Sequence, residues 1–471
     1  MLNNKLTTLS IAFAFSLTAG LAQAQVSNNP FASPIEAQAN IVTVDVAEFA
    51  TLPDSGNEAA RMMQLVDEPG SNRIFVNDMR GEIYSISYDG SSVTEYIDIN
   101  DFDVDVAYDL FREAGMQNFA FHPQFGQSGA PGYGKFYTWT DSNNTSPMPD
   151  YMPTGALDDH DLVLHEWTAR NPMNATYDGG MPREVLRVQQ PYRNHNGGQI
   201  GFNTLTAPGA ADYGLLYISI GDGGSGGDPM GMAQNLNSIL GKVLRIDPLG
   251  SNSLNGEYGI PASNPFANDG DDNTLGEIYA YGVRNAQHFV WDSANGNMFL
   301  SDIGQNIVEK VTLVTAGANL GWNTWEASYR FSDGTINLDN PRSEAGVTYP
   351  FVEWDHTDPL LQPRAAASGL LVYRDGPISQ LNNLVLFAEL LSGEIFYVPA
   401  DNLPNGGQAA IRRVLLDDGS GPKNMLQLIQ AKNEQQGRAL AVRADTRIDA
   451  GPEQRVFILN KGDGVIRELL P

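Results

Sequence analysis

The chain has 471 residues, 56 of them Asp or Glu against 28 Lys or Arg, for a formal charge of −28 at pH 7, and no cysteine. That length can bury a full hydrophobic core, and that charge repels nucleic acid and anionic membrane surfaces. Without cysteine no disulfide braces the fold, so packing has to hold it.

At the N-terminus, Lys5, an apolar run from Leu9 to Leu21 and the triplet Ala22-Gln23-Ala24 read as a secretory signal peptide over 1–24. It is too short to span a bilayer. Export follows, to a periplasm or outside the cell. Residues 25–40 read as a flexible leader, and no later stretch is long and apolar enough for membrane insertion. Beyond the leader helical periodicity is scarce, and short β-rich runs recur around turns of Gly, Asp or Asn. Residues 41–46 (IVTVDV) alternate as a strand that could complete the C-terminal group of strands. The strand pairs that follow are 73–87, 135–141 with a partner near 161–169, 215–222 with 241–247, 298–304 with 309–314, 384–398 and 455–469. Residues 73–87, 384–398 and 455–469 share an apolar strand, a turn and Gly-x-Ile. The pattern predicts an all-β chain, a six-bladed β-propeller occupying 41–471 as a single domain, with a pair of β-sandwiches as the rival.

Four segments stand out chemically. Asn194-His195-Asn196-Gly197-Gly198 puts one of six histidines at the mouth of a strand, facing the glycine loop after Asp222, where imidazole could accept a proton. Asp222 itself could support an ion-binding loop or tighten a turn, with the turn favoured. Glu113 precedes Gly115-Met116-Gln117 and a strand, Arg284-Asn285 follows a glycine, and Ser301-Asp302-Ile303-Gly304-Gln305 ends a strand at a free glycine carbonyl. In a propeller, loops distant in sequence converge on one channel, so these segments can share a pocket. Trp354 could stack on a planar ligand or belong to the core. His356 is a candidate for the channel rim and His122 reads as structural. The acidic run Asp269-Gly270-Asp271-Asp272-Asn273 lacks the glycine and glutamate positions of an EF-hand.

Read in order, GMQNFAFHPQF, NHNGGQIGF, YISIGDGG, AQNLNSILGKVLRIDP, EIYAYGVRNAQ, SDIGQN, NLGWNTWEA and SGEIFYV resemble the soluble glucose/sorbosone dehydrogenase family, which includes aldose sugar dehydrogenases. The resemblance implies a six-bladed propeller that moves hydride from the anomeric carbon of an aldose to pyrroloquinoline quinone (PQQ), giving a lactone. An external acceptor then takes the electrons. It implies His195 as general base and Arg284 as the cation beside the quinone. Asn285, Glu113 and Arg438 fall on or near cofactor contacts, and Gly304 and Gln305 on carbonyls that bind Ca²⁺. Oligomeric state is expected to be monomer or homodimer.

The chain departs from that pattern at particular positions. Asn194 replaces an aspartate beside the base, Leu391 a cofactor-binding lysine, Gln436 an arginine and Lys310 one of an acidic pair at a second Ca²⁺ site. PQQ carries three carboxylates, so the lost cations have to be made good elsewhere, with Arg364, Arg443 and Arg447 as candidates. The rival functions are a sugar- or ligand-binding propeller that has lost PQQ, and a Ca²⁺-dependent lactonase.

Overall fold

The structure, a computed structural model, describes residues 29–68, 70–108, 113–144, 146–153, 159–361 and 364–471. The expected signal peptide lies outside these residues. Strands dominate the rest. The α-helix among the described residues is Met425–Gln436.

The strands form antiparallel sheets built from chain neighbours. One contains Met62–Glu68, Arg73–Asp78, Glu82–Ser87 and Val93–Asp98. The next contains Met116–Phe121, Lys135–Ser142, His160–Thr168 and Arg183–Gln190. Ile200–Phe202, Leu216–Ile220, Lys242–Ile246 and Ile278–Tyr281 make a third. Ala286–Trp291, Met298–Asp302, Val308–Val314 and Val352–Asp355 make a fourth. Ala367–Tyr373, Leu384–Glu389, Ile395–Pro399 and Arg412–Asp417 then pair in order. The expected role of the early strand is met: Val42–Thr51 pairs antiparallel with Val465–Leu470 and so joins Val456–Leu459 and Arg447–Ala450. Its other edge lies parallel to Arg412–Asp417.

The first strands of successive groups neighbour one another, and between the third and fourth groups Leu216–Ile220 also contacts Ala286–Trp291, where the Phe289 N–H donates to Gln199 Oε1 beside Ile200–Phe202. Arg447–Ala450 lies beside Met62–Glu68, and Ala367–Tyr373 returns to Arg447–Ala450, so the inner strands ring a central axis. This is a β-propeller, an all-β architecture that leaves few strand edges open. Sheets facing one another bury residues on both sides of a strand, which is why Met298–Asp302 is buried throughout. Ala120, Trp139 and Leu164 of one sheet pack with Ile218, Leu244 and Ile278 of the next. Burial of such a large apolar side chain stabilises by about 2 kcal/mol.

One expectation changes here, and one open alternative is decided. Residues 29–40 lie along the propeller, with Ile35 2% exposed and its N–H donating to Asp358 Oδ2 at 2.7 Å. Trp354 is core, stacked on Phe387 with ring centroids 5.1 Å apart.

Candidate active site

The turn before Ile200–Phe202 carries His195, and close backbone approach sets its path. A Cβ on Gly198 would lie 2.1 Å from the Ala286 carbonyl oxygen, and one on Gly221 2.0 Å from that of His195. Only glycine fits there. His195 has φ of 61°, a left-handed conformation sparsely populated by residues with a Cβ. Its surroundings enforce it: the His195 N–H donates to Glu113 Oε2 at 2.8 Å and its carbonyl accepts from Gln190 Nε2 at 3.4 Å.

The His195 side chain is buried, with Nδ1 2.6 Å from Asp222 Oδ1. Trp322 Nε1 donates to Asp222 Oδ2 at 2.7 Å, and the Gly224 N–H to Oδ1 at 2.9 Å. Burial alone would raise the Asp222 carboxyl. The imidazole of His195, the guanidinium of Arg284 and the Gly224 N–H instead hold it below the usual carboxylate range. An ionised carboxylate keeps the shared proton on Nδ1 and leaves Nε2 as the acceptor. No hydrogen bond to Nε2 occurs among the described residues. The partner of the histidine is therefore Asp222, which tightens its turn as well, while Asn194 Oδ1 accepts from the Ser225 N–H at 2.9 Å.

The opposite wall is organised by carboxylates that collect backbone N–H groups. Asp302 accepts from the N–H groups of Arg284 at 3.2 Å and Asn285 at 2.7 Å, and pairs with Lys310 Nζ at 3.0 Å. Lys310 is thus committed to holding Asp302. Arg284 Nε donates to Gln305 Oε1 at 3.1 Å and Nη1 to the Ile303 carbonyl at 3.3 Å, with the guanidinium 5.6 Å from the Trp322 ring centroid. Asn285 Nδ2 donates to Glu113 Oε2 at 3.0 Å, linking the two walls. Glu326 Oε1 accepts from the N–H groups of Gln305, Asn306, Ile307 and Val308 at 2.9 to 3.2 Å. Glu309 accepts from the Gly304 N–H at 3.2 Å and from His356 Nε2 at 2.6 Å. With the N–H groups so engaged, the Gly304 and Gln305 carbonyls receive no hydrogen bond among the described residues.

His195, Glu113, Arg284, Asn285, Gly304 and Gln305 line one cavity of about 1340 Å³, and His356 lines it too. Arg438 does not: the helix Met425–Gln436 ends at Gly437, in the left-handed conformation, and Arg438 pairs with Asp54. Arg443, Arg447 and Arg364 do line the cavity, as does Lys461, which the sequence motifs did not single out.

A sequence model of the Glucose / Sorbosone dehydrogenase family matches residues 59–420. The chain belongs to the glucose/sorbosone dehydrogenase family. HIPL2 protein of Arabidopsis thaliana is 31% identical over 335 residues, 63% of this chain and 46% of that protein. Hedgehog-interacting protein of Mus musculus is 30% identical over 217 residues, 45% of this chain and 27% of that protein. Aldose sugar dehydrogenase YliI of Escherichia coli is 24% identical over 262 residues, 53% and 60% of the two chains. The chain spans about half the length of the first curated relatives it matches. Among solved structures, PQQ-bound aldose sugar dehydrogenase from Streptomyces coelicolor superimposes with a TM-score of 0.55 at 20% identity, covering 90% of this chain and 97% of that one. The apo form from Escherichia coli gives 0.61 at 17%, covering 91% and 99%. Both share the fold.

PQQ, bound in the Streptomyces coelicolor structure, is a planar quinone with three carboxylates, and the residues of the cavity can be compared with what it would require. Arg447 is 1% exposed, and its guanidinium donates to Gln287 Oε1 at 2.9 Å without an ion pair among the described residues. Burial pushes it below the usual arginine range. A buried cation lining a cavity with no paired carboxylate fits an anionic ligand. For a hard cation such as Ca²⁺, the Gly304 and Gln305 carbonyls offer two oxygens, and no cluster of three or more metal-ligating side chains occurs among the described residues.

Proposed function

We propose that this protein oxidises an aldose at its anomeric carbon to a lactone, with PQQ and Ca²⁺ in the cavity. The observation that carries the reading is His195, with Nδ1 held by Asp222 at 2.6 Å and Nε2 left for a ligand in a cavity that also holds Arg284. PQQ, when bound, supplies the two-electron acceptor for hydride leaving the sugar. His195 Nε2 takes the anomeric hydroxyl proton, and Asp222 stabilises the imidazolium that results. Arg284, pinned by Gln305 and Ile303, keeps a fixed cation in the cavity for negative charge that develops there. Arg447 would meet a cofactor carboxylate, and the Gly304 and Gln305 carbonyls would hold Ca²⁺. Glu113 positions both walls by accepting from His195 and Asn285.

The same reading takes the propeller as six-bladed, supported by the four-stranded groups and by Val42–Thr51 joining the C-terminal strands. It takes 1–24 as an export signal and the working compartment as periplasmic or extracellular. The electrons leave for an external acceptor.

A second reading, a binding propeller without PQQ, is favoured by Leu391 at the expected lysine position and by the match to Hedgehog-interacting protein, whose name denotes a binding role. A dye-linked assay over a panel of aldoses, with lactone detected directly, separates the two. Turnover that requires both PQQ and Ca²⁺ supports the dehydrogenase. No turnover with any aldose supports the binding propeller.

A further inference from the structure

The floor of the cavity carries two basic side chains that form no ion pair among the described residues. Lys461, between the strands Val456–Leu459 and Val465–Leu470, lines it with Arg443 and Arg447. Arg443 Nε is matched by Asp445 Oδ2 at 2.7 Å. Arg447 has only neutral hydrogen-bond acceptors, the Thr446 carbonyl, Gln287 Oε1 and Met63 Sδ, and Lys461 Nζ has no hydrogen bond or ion pair among the described residues. Among the charged groups that act on Lys461, Arg447, Arg61 and Arg443 are like charges and Asp445 is the carboxylate; Asp449 also acts on Arg447, and Glu113 and Glu389 on Arg443, without forming an ion pair with Lys461 or Arg447 among the described residues. Positive charges gathered out of water oppose folding unless an anion joins them.

Leu391 lines the same cavity, and its carbonyl accepts from the Ala444 N–H at 3.1 Å. The turn that lacks its expected lysine is thus bonded to the segment that carries Arg447. We infer that Lys461, together with Arg447, replaces the cation absent at Leu391 and seats a carboxylate of the quinone cofactor. This rests on the function proposed above and adds to it which side chains hold the ligand.

Burial pushes the Lys461 ammonium well below the ordinary lysine range, Asp445 opposes this, and Arg447, Arg61 and Arg443 add to it. A bound carboxylate favours the protonated amine, so binding draws in a proton and weakens as pH rises.

The test is a titration of the full chain with PQQ in Ca²⁺ buffer, followed by quinone absorbance. Four proteins are compared: wild type, Lys461→Met, Lys461→Arg and Lys423→Met. The last removes a lysine that pairs with Asp418 outside the cavity. Lys461→Met is expected to bind PQQ about tenfold to a hundredfold more weakly and to lose part of the pH dependence. Lys461→Arg and Lys423→Met should stay within about threefold of wild type. Without ligand, Lys461→Met should melt at or above the wild-type temperature, because it removes a charge from among like charges. Wild-type affinity in Lys461→Met overturns the inference, and so does a destabilised unliganded protein, which would make Lys461 part of the framework. Failure of the wild type to bind PQQ sinks the proposed function itself, a result distinct from either.

Discussion

The wall around His195 and the floor around Lys461 face the same cavity but are built on opposite electrostatic rules. On the wall, Asp222 answers His195, Asp302 answers Lys310, and Glu113 gathers N–H donors from two segments. Its charged groups find their partners within the protein, which fixes the geometry of a proton acceptor before any ligand arrives and leaves His195 Nε2 open. On the floor, Asp445 pairs with Arg443, while Arg447 and Lys461 have no ion pair among the described residues. Burial alone would raise the Asp445 carboxyl, but Arg443 and Lys461 hold it below the usual range. Chemistry calls for preorganisation and anion binding calls for unspent charge, and one cavity supplies both.

The largest expected effect is at His195. His195→Ala should lower aldose turnover by about a hundredfold to ten-thousandfold while PQQ still binds, measured by kcat beside a quinone titration. Equal loss of binding would mean that wall and floor are not separable.

Next is Asp222→Asn, which removes the charge that fixes the imidazole proton on Nδ1, and kcat should fall about a hundredfold or more. Because the Asp222 carboxyl lies below its unfolded value, its contribution to stability is present above about pH 4 and disappears as pH falls through the folded value. The variant should therefore show a flatter acid limb in a plot of melting temperature against pH.

Glu326→Gln tests the scaffold beneath the Gly304 loop. One oxygen there receives four N–H groups, so replacing the carboxylate by an amide should cost about 2 kcal/mol in denaturant unfolding. If Ca²⁺ is held by the loop carbonyls, its affinity should drop with it, while the His195–Asp222 pair stays intact.

The smallest effect is expected at His356→Gln, about 1 kcal/mol. Burial alone would lower the His356 imidazole, but the hydrogen bond and charge of Glu309 raise it, and the carboxylate is lowered in return despite its own burial. The histidine's contribution is whole below about pH 6.5 and is lost as pH rises through its folded value. That of Glu309 is whole above about pH 4.3 and is lost on the acid side. The variant should flatten the alkaline limb of the stability profile.

Much of the wall was legible in sequence, because each of its parts sits in a short motif whose glycines are demanded by close packing. His195, Arg284, Asn285 and Gly304 come together from segments far apart, as convergent propeller loops allow. Asp222 was harder to read. Its glycine-rich loop looks the same whether the aspartate tightens a turn or orients a base, and here it does both. The floor was read least well. The resemblance points to Arg438, yet the helix Met425–Gln436 carries it to Asp54. That helix had a readable signal, the reciprocal bonds between Asn424 and Gln427 at its start. Lys461 lies in a strand turn with no motif, and only the folded chain brings it to Arg447 and Asp445.

The most direct test of the central claim is a single-turnover experiment on PQQ-loaded protein without external acceptor, in which one aldose is added and the quinone spectrum and the sugar product are followed together. The prediction is loss of quinone absorbance matched by one lactone per bound PQQ in the wild type, and neither in His195→Ala. Lactone formed at the wild-type rate in His195→Ala, or an unchanged quinone spectrum across the whole aldose panel, would contradict it.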